Sequence, residues 1–276
     1  MPKFIVGARL HDYGKGSPDE LFGRVAADGF AAVQLAYKKC VPSVRSYADV
    51  TDALVAETVA AEKAHNIQVA VLGTYVELAI NDESRLKNAA DFKSQLAVCK
   101  ALGAGCIGTE TTNMEKQPAG TTREEAQELL CRSLADILPA AEALGVTVAV
   151  EPVTYHSMNS AAATRHILDT MRSPNLKVIF DMSNLVDAGN VGAQDRIWND
   201  VGELLGDRIV AVHFKGQAFA PDGSLLHTSL EDSLTDYAGA FAMLRQLPQD
   251  ALPVLREEAV PARAASDIAF MRGFFA

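Results

Sequence analysis

Little in this sequence marks a nucleotide, a nucleic acid or a membrane as its partner. The P-loop pattern is absent. The segment after the first apolar run reads Gly7-Ala8-Arg9-Leu10-His11-Asp12-Tyr13-Gly14-Lys15-Gly16 rather than G-x-G-x-x-G, so no phosphate cradle supports nucleotide binding. Basic residues do not cluster beyond Lys38-Lys39, and 35 acidic against 25 basic side chains give a formal net charge of −10. Nucleic acids are held by clustered Lys and Arg, so this balance excludes them as partners. No apolar run approaches the about 20 residues that span a bilayer. The opening Met1-Pro2-Lys3-Phe4-Ile5-Val6-Gly7 has too short an apolar stretch for a secretory leader. The four cysteines (Cys40, Cys99, Cys106 and Cys131) have no C-x-x-C spacing and are expected to be free thiols, which points to the cytoplasm.

What the sequence does contain is an alternation. Short, continuously apolar runs fall at 4–9, 32–35, 68–72, 106–109, 147–150, 177–180, 209–212 and 253–255. Runs of this kind suit strands buried on both faces, as in a parallel sheet covered by helices. The segments between them read as helices. Residues 53–65 carry apolar side chains at helical spacing and contain neither Gly nor Pro. Thr122, followed by Glu124 and Glu125, resembles a capped helix start, and that helix is expected to run through Leu138, to kink at Pro139 and to stop at Gly145. Ala101-Leu102-Gly103-Ala104-Gly105 makes a second helix-to-strand turn. Eight strands alternating with helices over 276 residues predict one (β/α)₈ barrel spanning 1–276. The longest stretch without a clear element, 216–236, follows the seventh strand and is a candidate lid.

Polar residues follow the last four strands at once: Glu151 after the fifth, Asp181 after the sixth, His213 after the seventh and Glu257 after the eighth. In a closed barrel these positions lie side by side on one rim, the face where barrel active sites are built. Three carboxylates brought together repel one another unless a cation is held between them. Carboxylate oxygens with one imidazole suit a divalent ion: Mn²⁺ first, with Mg²⁺, Co²⁺ or Zn²⁺ as alternatives. A single polar residue at a strand end is ordinary; three acids and a histidine on four consecutive strands form a set.

These residues carry a family resemblance. The motifs V-A-V-E-P at 148–152, V-I-F-D at 178–181, V-H-F-K at 212–215 and P-V-L-R-E-E at 253–258 resemble those of the sugar isomerase/epimerase branch of the xylose isomerase-like TIM barrels. The resemblance covers essentially the whole chain. It implies a divalent ion bound by Glu151, Asp181, His213 and Glu257, with Glu258 the rival for the last position. It further implies a sugar or polyol substrate whose carbonyl is polarised by the ion, and an enediolate formed as Glu151 and Glu257 remove and return a proton.

The sequence departs from the ketose 3-epimerases of that branch at three positions. Asn184 stands where they have His, Ser157 where they have Glu, and Phe219 where they have Arg. Lys215 instead gives an H-x-K pattern and is a candidate substrate contact. His11, Glu110, His156 and Asn184 are further candidate substrate contacts. His65 and His166 fall within helices, His227 has no supporting context, and Trp198 reads as packing.

Three other readings share the barrel. One is an inosose-type dehydratase using the same ion. One is a non-catalytic sugar-binding barrel, against which the intact set of four ligands argues. One is an endonuclease IV-type repair enzyme, which needs several more histidines than the six present and a less acidic surface. Barrels often pair, so a homo-oligomer is expected.

Overall fold

In the computed structural model, which describes residues 1–275, eight parallel strands close into a barrel. The elements run β1 (Lys3–Arg9), α1 (Pro18–Ala27), β2 (Ala32–Leu35), α2 (Tyr37–Cys40), α3 (Asp52–His65), β3 (Gln68–Gly73), α4 (Asp82–Ser94), α5 (Leu96–Leu102), β4 (Cys106–Glu110) and α6 (Arg123–Leu144). They continue β5 (Val148–Glu151), α7 (Ala161–Met171), β6 (Leu176–Asp181), α8 (Gln194–Leu205), β7 (Ile209–Phe214), β8 (Gly216–Phe219), β9 (Leu225–Thr228), α9 (Tyr237–Leu244), β10 (Ala251–Arg256) and α10 (Ala264–Arg272). Around the barrel the order is β1-β10-β7-β6-β5-β4-β3-β2, so β10 closes the ring against β1. Among the described residues no helix is long and apolar enough to cross a membrane.

Two packed layers hold this together. Inside the barrel, Ala32, Ala70, Val71, Cys106, Ala149, Ile179, Ala211 and Leu255 form a small buried cluster. Its residues are small because eight converging strands leave little room on the axis. Where a long side chain does enter, the opposite position is glycine. A Cβ on Gly108 would lie 2.5 Å from Ile179 Cδ1, and one on Gly7 2.5 Å from Leu255 Cδ2. Outside, the helices cover the sheet with a much larger apolar cluster that includes Phe22, Phe92, Phe180, Phe214 and Phe241.

The helix boundaries follow the local chemistry. Thr122 caps α6 by accepting from the Glu125 N–H at 3.2 Å, while Glu125 accepts from the Thr122 N–H at 2.8 Å. As expected, the helix runs through Leu138 and accommodates Pro139, continuing to Leu144. Gly145 then terminates it with φ +67°, a left-handed conformation that costs glycine nothing.

Two expectations need correction. The strands end later than the apolar runs do. Glu110, Glu151, Asp181 and His213 are the last or penultimate residues of β4, β5, β6 and β7, with Glu257 alone just past its strand. Their side chains point into a closed polar mouth, so a polar residue there does not end the strand. The segment 216–236 is also not structureless. It contains the antiparallel hairpin β8–β9, in which Gly216 pairs with Thr228 and Phe219 with Leu225.

Candidate active site

The parallel register lines up the strand ends. Glu110 stands opposite Glu151 across β4 and β5, and Asp181 opposite His213 across β6 and β7. Glu151, Asp181, His213 and Glu257 are all buried. One ligand atom from each of Glu151, Asp181 and His213 lies within 4.8 Å of the others. Glu257 stands just outside that tight group, its Oε1 3.4 Å from His213 Nδ1 and its Oε2 3.5 Å from Lys215 Nζ. Glu258 is partly exposed and turns to Arg9 at 2.8 Å instead, so of the two glutamates only Glu257 faces the cluster.

Each acid is held by a specific partner. Asp181 Oδ1 accepts from the backbone N–H groups of Ser183 at 2.7 Å and Asn184 at 3.0 Å, which leaves Oδ2 facing inward. Asn184 Nδ2 donates to Glu151 Oε1 at 2.7 Å, and Glu151 Oε2 lies 3.2 Å from His213 Nδ1. Arg256 in β10 pairs with Asp267 of α10 at 2.8 Å and donates to the Glu257 carbonyl, tying that corner to the outer helix. Lys215 is buried, with Nζ 2.9 Å from Asp181 Oδ2 and donating to Asn184 Oδ1 at 2.7 Å.

The electrostatics follow from this packing. Burial opposes charge on His213, yet Glu257 and Glu151 hold the imidazole up at about 9. Burial likewise opposes ionisation of Glu257, but His213, Lys215 and Arg9 outweigh it and hold the carboxyl down at about 2. Glu151 moves the other way: burial, with repulsion from Glu257 and Asp181, pushes it up despite the attraction of His213. Burial and the nearby charges of Glu151 and Glu257 raise Glu110 to about 7. The two glutamates across the cluster therefore differ in proton affinity, although both are buried.

The donor set fits a divalent ion. Both ring nitrogens of His213 and Oδ2 of Asp181 are buried without a well-aligned hydrogen-bond partner among the described residues. Buried polar atoms are rarely left without an aligned partner, and one nitrogen of His213, Oδ2 of Asp181 and an oxygen of Glu151 lie close enough together to share an ion. The space between Gln34, Tyr75, Glu110, Glu151, His213 and Glu257 is about 10 Å³, room for one water-sized body.

The other sequence candidates divide. Glu110 stands on the rim between this inner space and an outer cavity of about 360 Å³ reached past Lys39, Tyr75, Tyr155 and His156. His156 is buried in the loop after β5 and lines that outer cavity. His11 is on the rim too, packed edge-on against Tyr75 with ring centres 5.8 Å apart. It does not cap the next helix; Ser17 does. Burial, with Arg9 and Lys39 adding repulsion, holds His11 neutral down to about 3. Asn184 and Lys215 are both inside the cluster. Phe219 packs half-buried against the core, and Ser157 is buried with its hydroxyl unpartnered. His65 pairs with Asp19 at 2.8 Å on the surface, and Trp198 packs against Phe180 at 5.8 Å. A larger cavity of about 650 Å³, lined by Lys3, Glu62 and Gln68, opens at the opposite end of the barrel, where barrel folds do not place their chemistry.

Two rim residues escaped the sequence reading. Tyr75 lies past β3 at φ +53°, with Lys39 Nζ 3.3 Å from its ring centre. Gln34 in β2 donates to the Tyr75 hydroxyl at 2.9 Å. Extending the strand-end rule from the last four strands to β2 finds Gln34, whereas Tyr75 lies two residues past β3 and carries no such signal.

Comparison with known proteins agrees with this architecture. The family model described as xylose isomerase-like TIM barrel matches residues 22–273. No curated protein sequence matches the chain. Among solved structures, a D-tagatose 3-epimerase-like protein superposes with a TM-score of 0.78 at 11% identity, covering 98% of this chain and 96% of the other. A protein named IOLI, solved with a bound zinc atom, gives 0.77 at 16% identity, again over 98% and 96%. A xylose isomerase-like barrel from Mycobacterium smegmatis, in complex with magnesium, gives 0.71 at 13% identity over 98% and 96%. At these identities the likeness is one of fold.

Proposed function

Given that the chain belongs to the xylose isomerase-like TIM barrel family, we propose that it is a divalent-metal-dependent sugar isomerase or epimerase. The observation that carries this reading is the buried cluster of Glu151, Asp181 and His213, whose ligand atoms lie within 4.8 Å of one another, with Glu257 beside it. Glu151, Asp181, His213 and Glu257 would hold the ion, Mn²⁺ in first place. When bound, such an ion polarises a sugar carbonyl and its neighbouring hydroxyl as a Lewis acid.

The protein's own groups do the rest. Polarisation acidifies the C–H beside the carbonyl, and a carboxylate close to that carbon takes the proton. Glu151 and Glu257, both buried beside His213, are the carboxylates placed to take and return that proton. Glutamates on two sides of a planar enediolate allow removal on one face and return on the other. Lys215 and Asn184 hold the two carboxylates in place, and the polar rim of His11, Glu110 and His156 supplies partners for the sugar's remaining hydroxyls. The named activities of epimerases among the structural relatives support this substrate class.

Turnover of a panel of aldoses, ketoses and inosose-type ketones with added Mn²⁺ tests the reading. Glu151→Gln and Glu257→Gln are each expected to lower kcat by at least about 100-fold, the usual contribution of a positioned acid or base. Full turnover by both variants contradicts it. A product lighter by one water moves the assignment to a dehydratase.

A further inference from the structure

We propose that Lys215 is a resident cation that competes with the divalent ion for Asp181 and Glu257, and so sets how tightly the site binds metal. This rests on the reading of the cluster as a metal site. It goes beyond that reading in assigning one of the chain's own side chains the role of limiting occupancy.

The geometry starts from Asp181. Its Oδ1 is already committed to the N–H groups of Ser183 and Asn184. Oδ2 is the single oxygen left to face inward, and Lys215 Nζ stands 2.9 Å from it. Glu257 repeats the arrangement: Oε1 faces His213 and Arg9, and Oε2 lies 3.5 Å from the same Nζ. An ion drawing on these carboxylates must share them with an ammonium already beside them.

Lys215 is not free to swing out into water. It is buried, and its Nζ donates to Asn184 Oδ1 at 2.7 Å. Its backbone is fixed as well, because the Lys215 carbonyl accepts from Ser183 Oγ and Tyr237 Oη, both at 2.8 Å. The positive charge therefore stays within a few ångströms of any ion in the cluster. Two opposing effects follow. Lys215 aligns the carboxylates, which helps a ligand set; it also repels a divalent cation. The Coulomb energy of a unit charge against a double charge a few ångströms apart exceeds, several-fold, the net contribution of one hydrogen bond. Repulsion wins, and the lysine weakens metal binding while stabilising the protein without metal.

The test is isothermal titration of MnCl₂ into the full chain after chelator treatment, for wild type, Lys215→Met, Lys215→Gln and Lys215→Arg at one ionic strength. Thermal midpoints with and without Mn²⁺ accompany it. Wild type binds; Lys215→Met and Lys215→Gln bind at least about ten-fold tighter; Lys215→Arg, which keeps the charge, stays near wild type. The chelator-treated neutral variants melt below wild type and gain more from Mn²⁺. Lys215→Gln retains polarity and carries the test should the methionine variant fail to fold. Neutral variants that bind equally or more weakly, while wild type binds, overturn the proposal and leave the metal site standing. Failure of every variant to bind Mn²⁺ overturns the metal reading itself, and the proposal with it.

Discussion

Asn184 and Lys215 come from the ends of adjacent strands and meet in a buried 2.7 Å hydrogen bond. Through its other amide atom Asn184 holds Glu151, and through its ammonium Lys215 reaches Asp181 and Glu257. One amide thus links carboxylates from neighbouring strands along one arc of the barrel mouth. It stands at the position where the resembling ketose 3-epimerases carry histidine, and here it makes two side-chain contacts within the cluster.

Asn184→Leu removes both contacts at similar volume. Glu151 loses its donor and Lys215 its acceptor. Outer partners of metal-holding carboxylates usually change affinity or activity by about 10–100-fold. A fall of that size in kcat/KM on the substrate found by the sugar panel is expected. An unchanged kcat/KM shows that Glu151 needs no such support.

Acid should weaken the fold partly through His156. Burial, with repulsion from Lys116, lowers its pKa to about 4 from the ordinary 6.5. A base depressed in this way contributes stability that is fully present above pH 6.5 and is lost as pH falls toward 4. The loss attributable to it is at most about 3 kcal/mol. Denaturant unfolding between pH 7 and pH 4 should show a flatter decline for His156→Gln than for wild type. Parallel declines contradict the assignment.

The barrel interior makes a sharper demand. Gly108→Ala places a methyl 2.5 Å from Ile179 Cδ1 and 3.2 Å from Val71 Cγ1. Overpacking of this kind costs about 1–3 kcal/mol. Adding Ile179→Val deletes the clashing carbon and should restore part of the loss, as urea titration of the single and double variants will show.

Part of the fold and of the candidate site was legible in the residues. The strands were, because burial on both faces leaves continuous apolar runs such as Val148-Ala149-Val150. The rim positions of Glu151, Asp181 and His213 were too, because each acid or imidazole interrupts such a run at about one βα interval. Their place inside the strands was not: polarity reads as an ending, yet a barrel mouth accepts polar side chains without breaking its ladder. The β8–β9 hairpin is not legible because its strands are four residues each, carry no apolar alternation, and one of them is mostly exposed. Tyr75 was missed for a different reason. Its position depends on a left-handed turn and on packing against Lys39 and His11, residues distant in sequence that no local pattern brings together.

Proton transfer through an enediolate at the Glu151–Glu257 pair leaves a label in both product and substrate. Incubation of the Mn²⁺-loaded protein with the sugar panel in D₂O, read by mass spectrometry and NMR, tests it most directly. The account predicts solvent deuterium at the carbon beside the carbonyl, in the product and in recovered substrate, and its loss in Glu151→Gln and Glu257→Gln. Product that forms with no solvent deuterium, or a panel in which no sugar exchanges, contradicts it.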